Sequence, residues 1–223
     1  VETLAYECKK YKIPLIHIST DYIFDGEKLT NYLEQDTPSP KNIYGLTKLH
    51  GERAIQKVLP EHIILRVSWV FGIHGNNFVK TITKLAIQKS ELKIISDQYG
   101  TPTCAENIAK NIIQICESIY KLEPNNQNPK NYWGTYHYRD HPVTNWHQFA
   151  IKIIDAAKKS NLPIITKNII PIGTDQYPTA ATRPKNCVLN VDKIYQTFNI
   201  KPSYWEDSIP AVLNQFARQL SEV

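Results

Sequence analysis

The chain has 223 residues, 42% hydrophobic and 21% charged, the balance of one globular domain or of two interleaved small ones. The net charge is +5, and the 26 lysines and arginines are scattered, which argues against a nucleic-acid stripe or a basic tail. No apolar run approaches the ~18 residues that a membrane-spanning helix needs.

In chain order, Leu4, Cys8 and Tyr11 recur at helical spacing, so residues 1–12 are expected to form an amphipathic helix. Pro14 ends it, and the short β-branched run at 15–19 reads as a buried strand. Residues 27–42 carry loop chemistry, and 43–59 read as a helix with Leu49, Ala54, Ile55, Val58 and Leu59 on its apolar face. A second buried strand is expected at 62–72, a helix at 76–88, a strand at 92–96 and a long helix at 105–122. A loop at 123–131 and a strand at 134–140 follow, then a helix over 144–160 with Thr144 as N-cap. The remainder reads as a strand at 164–172, a proline-rich stretch at 177–184, a strand at 187–191, and helices near 192–198 and 206–220. Strands alternating with helices indicate βαβ units and a parallel sheet, with ligands outside the carboxyl ends of the strands.

The four cysteines form no C-x-x-C pair and no zinc-like spacing. Cys8 and Cys116 fall within helical patterns and are expected as small buried hydrophobes. A reducing, cytoplasmic setting fits this cysteine usage, and no signal peptide is visible. The chain starts at Val1, contains no methionine, and opens on what reads as the middle of a longer protein.

Ser19, Thr20, Asp21 and Tyr22 lie where the first strand delivers its last side chains into such a crevice. Alternation along a strand puts Ser19 and Thr20 on opposite faces, so one of the two hydroxyls is expected at the site. Tyr44 and Lys48 are spaced i, i+4 on the next helix and share a face. A cation near a phenol favours the phenolate, and catalysis near neutral pH wants such tuning. A strand-end hydroxyl with a Tyr–Lys pair is suited to giving a proton to a ketone oxygen while hydride reaches the carbon. Alone, Y-x-x-x-K is weak, and its bland reading is an exposed pair on a helix surface.

The order of the local words narrows the choice. "ISTDYIFDG", "YLEQDTPSPKNIYGLTKLHGE", "LRVSWVFG", "GNNFVKTITKLA", "DQYGTPT" and "YPTAATRPKNCVLNVDK" together resemble the dTDP-4-dehydrorhamnose reductase family of extended short-chain dehydrogenases/reductases, over nearly the whole chain. The resemblance implies an α/β fold: a Rossmann-like doubly wound parallel sheet, here without its N-terminal strands, and a smaller interleaved α/β substrate domain. Residues 1–76 and 102–140 would belong to the NAD(P)-binding part, and 77–101 and 141–223 to the nucleotide-sugar part. It implies Tyr44 as proton donor, Lys48 as the ribose-binding lysine and Thr20 as the third catalytic group, with Ser19, Tyr44 and Lys48 toward NADPH or NADH. Thr20, Asp21, Tyr22, Trp69, Asn77, Gln98 and Arg183 would face the substrate.

Each residue also has a plainer reading. Trp69 would be a core tryptophan, Asp21 the start of an Asx turn, Arg183 a surface ion-pair partner, and His17 a satisfied core histidine rather than a base. Glu106 and Glu206 match carboxylates that help some relatives hold Mg2+ at a dimer contact, but lone glutamates on helix surfaces are usually solvated, and no metal is expected. None of the 8 glycines forms a G-x-G-x-x-G phosphate turn, so the opening βα units and the residue that selects NADH or NADPH are expected to lie outside these residues.

The implied activity is reduction of dTDP-4-dehydrorhamnose to dTDP-L-rhamnose for surface polysaccharide synthesis, with a homodimer compatible and no nucleic-acid or membrane partner. The alternative is a non-catalytic binding subunit resembling the regulatory beta subunit of methionine adenosyltransferase. The retained Thr20, Tyr44 and Lys48 favour the enzyme, because a scaffold has no need of that trio.

Overall fold

In the computed structural model, which describes residues 1–120, 132–177 and 183–221, helix α1 (Glu2–Tyr11) leads into strand β1 (Leu15–Thr20) and a 3-10 turn at Asp21–Ile23. Helix α2 (Ile43–Val58), strand β2 (His62–Val67), the short β3 (Val70–Phe71) and helix α3 (Phe78–Gln88) follow. Then come β4 (Glu91–Ile95), β5 (Tyr99–Gly100), β6 (Thr103–Cys104), helix α4 (Ala105–Tyr120), β7 (Gly134–His137) and β8 (Thr144–Asn145). The chain continues through α5 (Trp146–Lys159), β9 (Asn168–Ile172), α6 (Asp192–Phe198) and α7 (Ile209–Ser221). The loop expected at 123–131, the end of the helix expected to reach 122, and most of the proline-rich stretch lie outside the described residues.

The parallel sheet β1-β2-β7 is the frame of the site. Its register pairs Ser19 with Arg66 and Thr20 with Val67, so both strands end at the same level. Alternation divides the side chains. Ile16, Ile18, Ile63, Leu65 and Val67 pack against Ile108 and Ile115 of α4 and Ile194 and Phe198 of α6. On the other face, Leu15 and Ile64 pack with Ala5, Cys8, Ile55 and Val58 of α1 and α2. A second core gathers α3, α5 and α7 around Phe71, Phe149 and Trp205, against the parallel pair β4–β9. Burying these apolar faces is the main favourable term holding both layers together.

Several expected elements differ in detail. The run expected as one strand over 62–72 breaks at Ser68 and Trp69, because Trp69 has a left-handed φ of 43°, a backbone sign that apolar patterning does not encode. Asn145, not Thr144, caps α5: its side chain accepts the Gln148 N–H at 2.8 Å, while Thr144 pairs with Gly100 in β8–β5. The strand expected from 164 begins at Asn168, since the Ile165, Thr166 and Lys167 N–H groups bond instead to the carbonyls of Ala86 and Ser90. Residues 187–191 form no strand; Tyr32–Leu189 and Tyr99–Asn186 are isolated bridges. Cys8 is buried as expected, but Cys116 is exposed, on the outer face of α4. Among the described residues, no helix is long and apolar enough to cross a membrane.

Candidate active site

The carboxyl end of β1 opens into a cleft of about 820 Å³ lined by Ser19, Thr20, Asp21, Tyr22, Tyr44, Lys48, Trp69, Trp146 and Arg183, among others. Two elements set its floor. Thr20 ends β1 and caps the 3-10 turn, its Oγ1 accepting the Tyr22 N–H at 3.2 Å and donating to Asp21 Oδ1 at 2.9 Å. Asn42 caps α2 by accepting the Gly45 N–H at 2.8 Å, which starts the helix where Tyr44 and Lys48 reach the cleft.

Lys48 is half-buried, and its ammonium donates to the Ile18 carbonyl at 2.6 Å, fastening α2 to the strand that bears the hydroxyls. Burial lowers its pKa, and the nearby Glu52 charge acts in the opposite direction. Tyr44 is 56% exposed at the mouth and meets Tyr22 edge to face, with ring centroids 5.8 Å apart. Burial and then the Asp21 charge push the Tyr22 phenol up to about 12, so it remains a neutral donor. Ser19 and Thr20 both line the cleft, although they lie on opposite faces of the sheet, because the strand stops there. Ser19 Oγ and Asp21 Oδ2 are buried there without a hydrogen-bond partner.

Asp21 is 2% exposed, and burial raises its pKa to about 6, against the hydrogen bond from Thr20. Behind it the Cys187 thiol, also raised by burial and then by the Asp21 charge, contacts Asp21 and the Trp69 ring. Trp69 stacks on Trp146 with centroids 3.6 Å apart, so the left-handed residue places an indole wall across the cleft.

The remaining expected residues fall at three depths. Arg183 is exposed at the rim and lines both this cleft and a second one of about 700 Å³ walled by Phe78, Leu92, Ile94, Trp146 and Tyr177. Asn77 does not line the main cleft; it caps α3, accepting from Lys80 N and donating to the Gly72 carbonyl at 2.7 Å. Gln98 lies one layer behind, accepting the Trp146 indole N–H at 3.2 Å and donating to Thr174 at 3.1 Å. Trp146, the first residue of α5, is a wall residue that nothing in the helical pattern of 144–160 singles out. His17 lies on β1 with its Nε2 buried and unpartnered, not satisfied as expected, and burial lowers its pKa. Glu206 pairs with Lys152 at 3.0 Å, and Glu106 sits in the first turn of α4. Among the described residues there is no cluster of three or more metal-ligating side chains.

The donor set fits the riboside end of a nicotinamide dinucleotide. A buried hydroxyl without a partner (Ser19) and an ammonium with protons to spare (Lys48) line the same cleft as the Tyr44 phenol, a donor set that suits a diol next to a reacting ring.

Residues 1–218 match the family model described as RmlD substrate binding domain. The chain is 40% identical over 213 residues to dTDP-4-dehydrorhamnose reductase of Aggregatibacter actinomycetemcomitans, covering 94% of this chain and 69% of that protein. It is 35% identical to the Escherichia coli K12 enzyme of the same name, covering 96% and 70%. Among solved structures, a reductase of that name from Clostridium acetobutylicum superposes with a TM-score of 0.85 at 30% identity, covering 97% of this chain and 70% of that one. One from Bacillus anthracis, in complex with NADP, superposes with a TM-score of 0.79 at 28% identity, covering 100% and 70%.

Proposed function

Because this chain belongs to the dTDP-4-dehydrorhamnose reductase family, we propose that its cleft reduces the 4-keto group of dTDP-4-dehydrorhamnose to the alcohol of dTDP-L-rhamnose. The observation that carries the reading is that Thr20, Tyr44 and Lys48 line one cleft at the end of β1, beside an indole wall. When bound, the reduced nicotinamide supplies a hydride to C4. Tyr44 gives its phenolic proton to the sugar oxygen, so the carbonyl becomes a hydroxyl with charge and electrons balanced. Lys48, held by the Ile18 carbonyl, has two further N–H donors for a ribose diol. Thr20 already donates to Asp21, so holding the sugar oxygen means handing that donation to the substrate. Asp21 Oδ2, which lacks an N–H or O–H donor, would accept a sugar hydroxyl, and Trp69 would cover the ring face.

Arg183 lies at the junction of the two clefts, where a pyrophosphate would sit if the sugar filled the first and the nucleotide the second. Asn77 and Gln98 support the nucleotide side through α3 and Trp146. The division into a dinucleotide part (1–76, 102–140) and a sugar-nucleotide part (77–101, 141–223) belongs to the same reading; the two cores follow it only in outline, since Ile194 and Phe198 of α6 pack on the first frame and Phe71 and Cys104 join the second core. The four unpaired cysteines support a reducing, cytoplasmic setting. A homodimer is supported only by the apolar residues left exposed on α1 and at the start of α2, such as Leu4, Tyr11 and Ile43.

The test is turnover of dTDP-4-dehydrorhamnose with reduced nicotinamide, measured beside thermal melting for the parent and Tyr44→Phe enzymes. Loss of the positioned acid should cost roughly 10²–10⁴-fold in kcat. Because Tyr44 is exposed, the melting temperature should stay put. Parent-like turnover in Tyr44→Phe would remove Tyr44 as the acid.

A further inference from the structure

Below the cleft, α2 carries a third polar residue on the face of Tyr44 and Lys48. Glu52 stands four residues beyond Lys48 and is 1% exposed. It accepts a fork from Arg66 of β2: Nε lies 3.0 Å from Oε1, and Nη2 lies 2.7 Å from Oε2. Arg66, itself 4% exposed, is the register neighbour of Ser19. Its remaining nitrogen, Nη1, donates to the Glu34 carbonyl at 3.2 Å and to His137 Nε2 at 3.3 Å.

The His137 ring Nδ1 faces the Tyr32 carbonyl at 3.2 Å, so the hydrogen-bond pattern assigns the neutral Nδ1–H tautomer. Burial, and then the Arg66 charge, hold that histidine well below its ordinary pKa, keeping Nε2 an acceptor. The Glu34 carboxylate accepts the His137 backbone N–H at 3.1 Å, and Arg66 lies over the Phe24 ring. The guanidinium is therefore held by three groups, the Glu34 carbonyl, His137 Nε2 and the Phe24 ring, besides its grip on α2.

A buried ion pair is weak evidence of stabilisation, because apolar side chains of like volume often pack as well or better. What an apolar pair lacks is direction. A bidentate fork between fixed groups sets both the rotation and the axial position of the helix that bears it.

We propose, resting on the reductase reading above, that Glu52 and Arg66 form a positioning pair that sets the register of α2, so that the Tyr44 oxygen and the Lys48 ammonium meet the substrate at the end of β1. Neither residue touches the substrate; both act through α2.

The experiment separates register from stability. In the double variant Glu52→Leu, Arg66→Met, the charges are replaced by apolar volume. The melting temperature should return close to the parent value, whereas either single change, which strands a buried charge, should lower it. The kcat of the double variant should still fall by about tenfold or more, since a misplacement near 1 Å can cost 10²-fold. Its KM for the nucleotide sugar should hold within about twofold.

Arg66→Lys keeps the charge but loses the fork. It should fold and show the same drop in kcat, and it decides the matter if the double variant does not fold. Parent-like kcat in either folded variant would overturn the proposal and leave a purely structural pair. Tyr44→Phe, run alongside, keeps the two ideas apart. If it is inactive while the pair variants are fully active, positioning alone fails; if it is active, the reductase reading of Tyr44 fails.

Discussion

Asp21 sits fully enclosed at the floor of the cleft, with one oxygen accepting from Thr20 and the other without a partner. Its pKa rises from 3.8 to about 6, chiefly through burial. A carboxyl raised in the folded state contributes most below its unfolded pKa of 3.8 and loses that contribution as pH rises through about 6. Above that window the buried charge costs on the order of 3 kcal/mol, the shift multiplied by about 1.4 kcal/mol per unit. Asp21→Asn keeps an acceptor for Thr20 and removes the charge. It should therefore stabilise the protein at pH 8, by roughly 1–3 kcal/mol, and by about half as much at pH 5. Urea melts at the two pH values check this, and an equal gain at both would deny that the charge is the cause. Turnover should fall in the same variant, as when activity relies on a destabilised site. At this scale the sequence announced Thr20, Asp21, Tyr44 and Lys48, because their spacing puts them at a strand end and on one helix face. Strand alternation led to one of the Ser19 and Thr20 hydroxyls at the site, while the family resemblance implied both, and both line the cleft. That the Thr20 proton is already engaged with Asp21 was not legible, because it depends on how the chain turns after the strand.

The elements were legible where periodicity speaks. Helices α1, α2, α4 and α5 and strands β1 and β2 all follow from apolar spacing. The break at Trp69 and the isolated bridges at 186–189 were not, because backbone sign and long-range pairing leave no local period. One junction between elements carries the site. Gly45, in the first turn of α2, lies against the backbone of the 3-10 turn, and a Cβ there would overlap the Tyr22 carbonyl oxygen. Helix propensity alone would favour Gly45→Ala by about 1 kcal/mol. The overlap with fixed backbone should outweigh that gain, pushing α2 from the turn. The expected outcome is net destabilisation in urea melts together with loss of turnover. A variant stabilised by the propensity gain, with full activity, would show that the junction is looser than the structure indicates.

At the scale of the molecule, the parallel frame β1-β2-β7 ends in the cleft, and Trp69 and Trp146, packed on the second core around α3, α5 and α7, stack on each other as one wall of it. The frame and α2 present the Tyr44 phenol, the Lys48 ammonium and the Ser19 and Thr20 hydroxyls. The other core brings an indole and the second cavity, which joins the first at Arg183. The alternation of strands and helices was enough to expect a parallel sheet with a crevice at its carboxyl edge. It could not show that two clefts share a wall, since Trp146 looked like any apolar residue of an amphipathic helix. Reduction at this site requires one placement: a ketone-bearing sugar lying in the first cleft with its C4 oxygen against Tyr44. A crystal structure of the protein with dTDP-L-rhamnose tests it most directly. The expected result is the sugar ring over Trp69 with its C4 hydroxyl about 3 Å from the Tyr44 oxygen. A sugar ring seated elsewhere, or a C4 hydroxyl turned beyond hydrogen-bond reach of Tyr44, would contradict it.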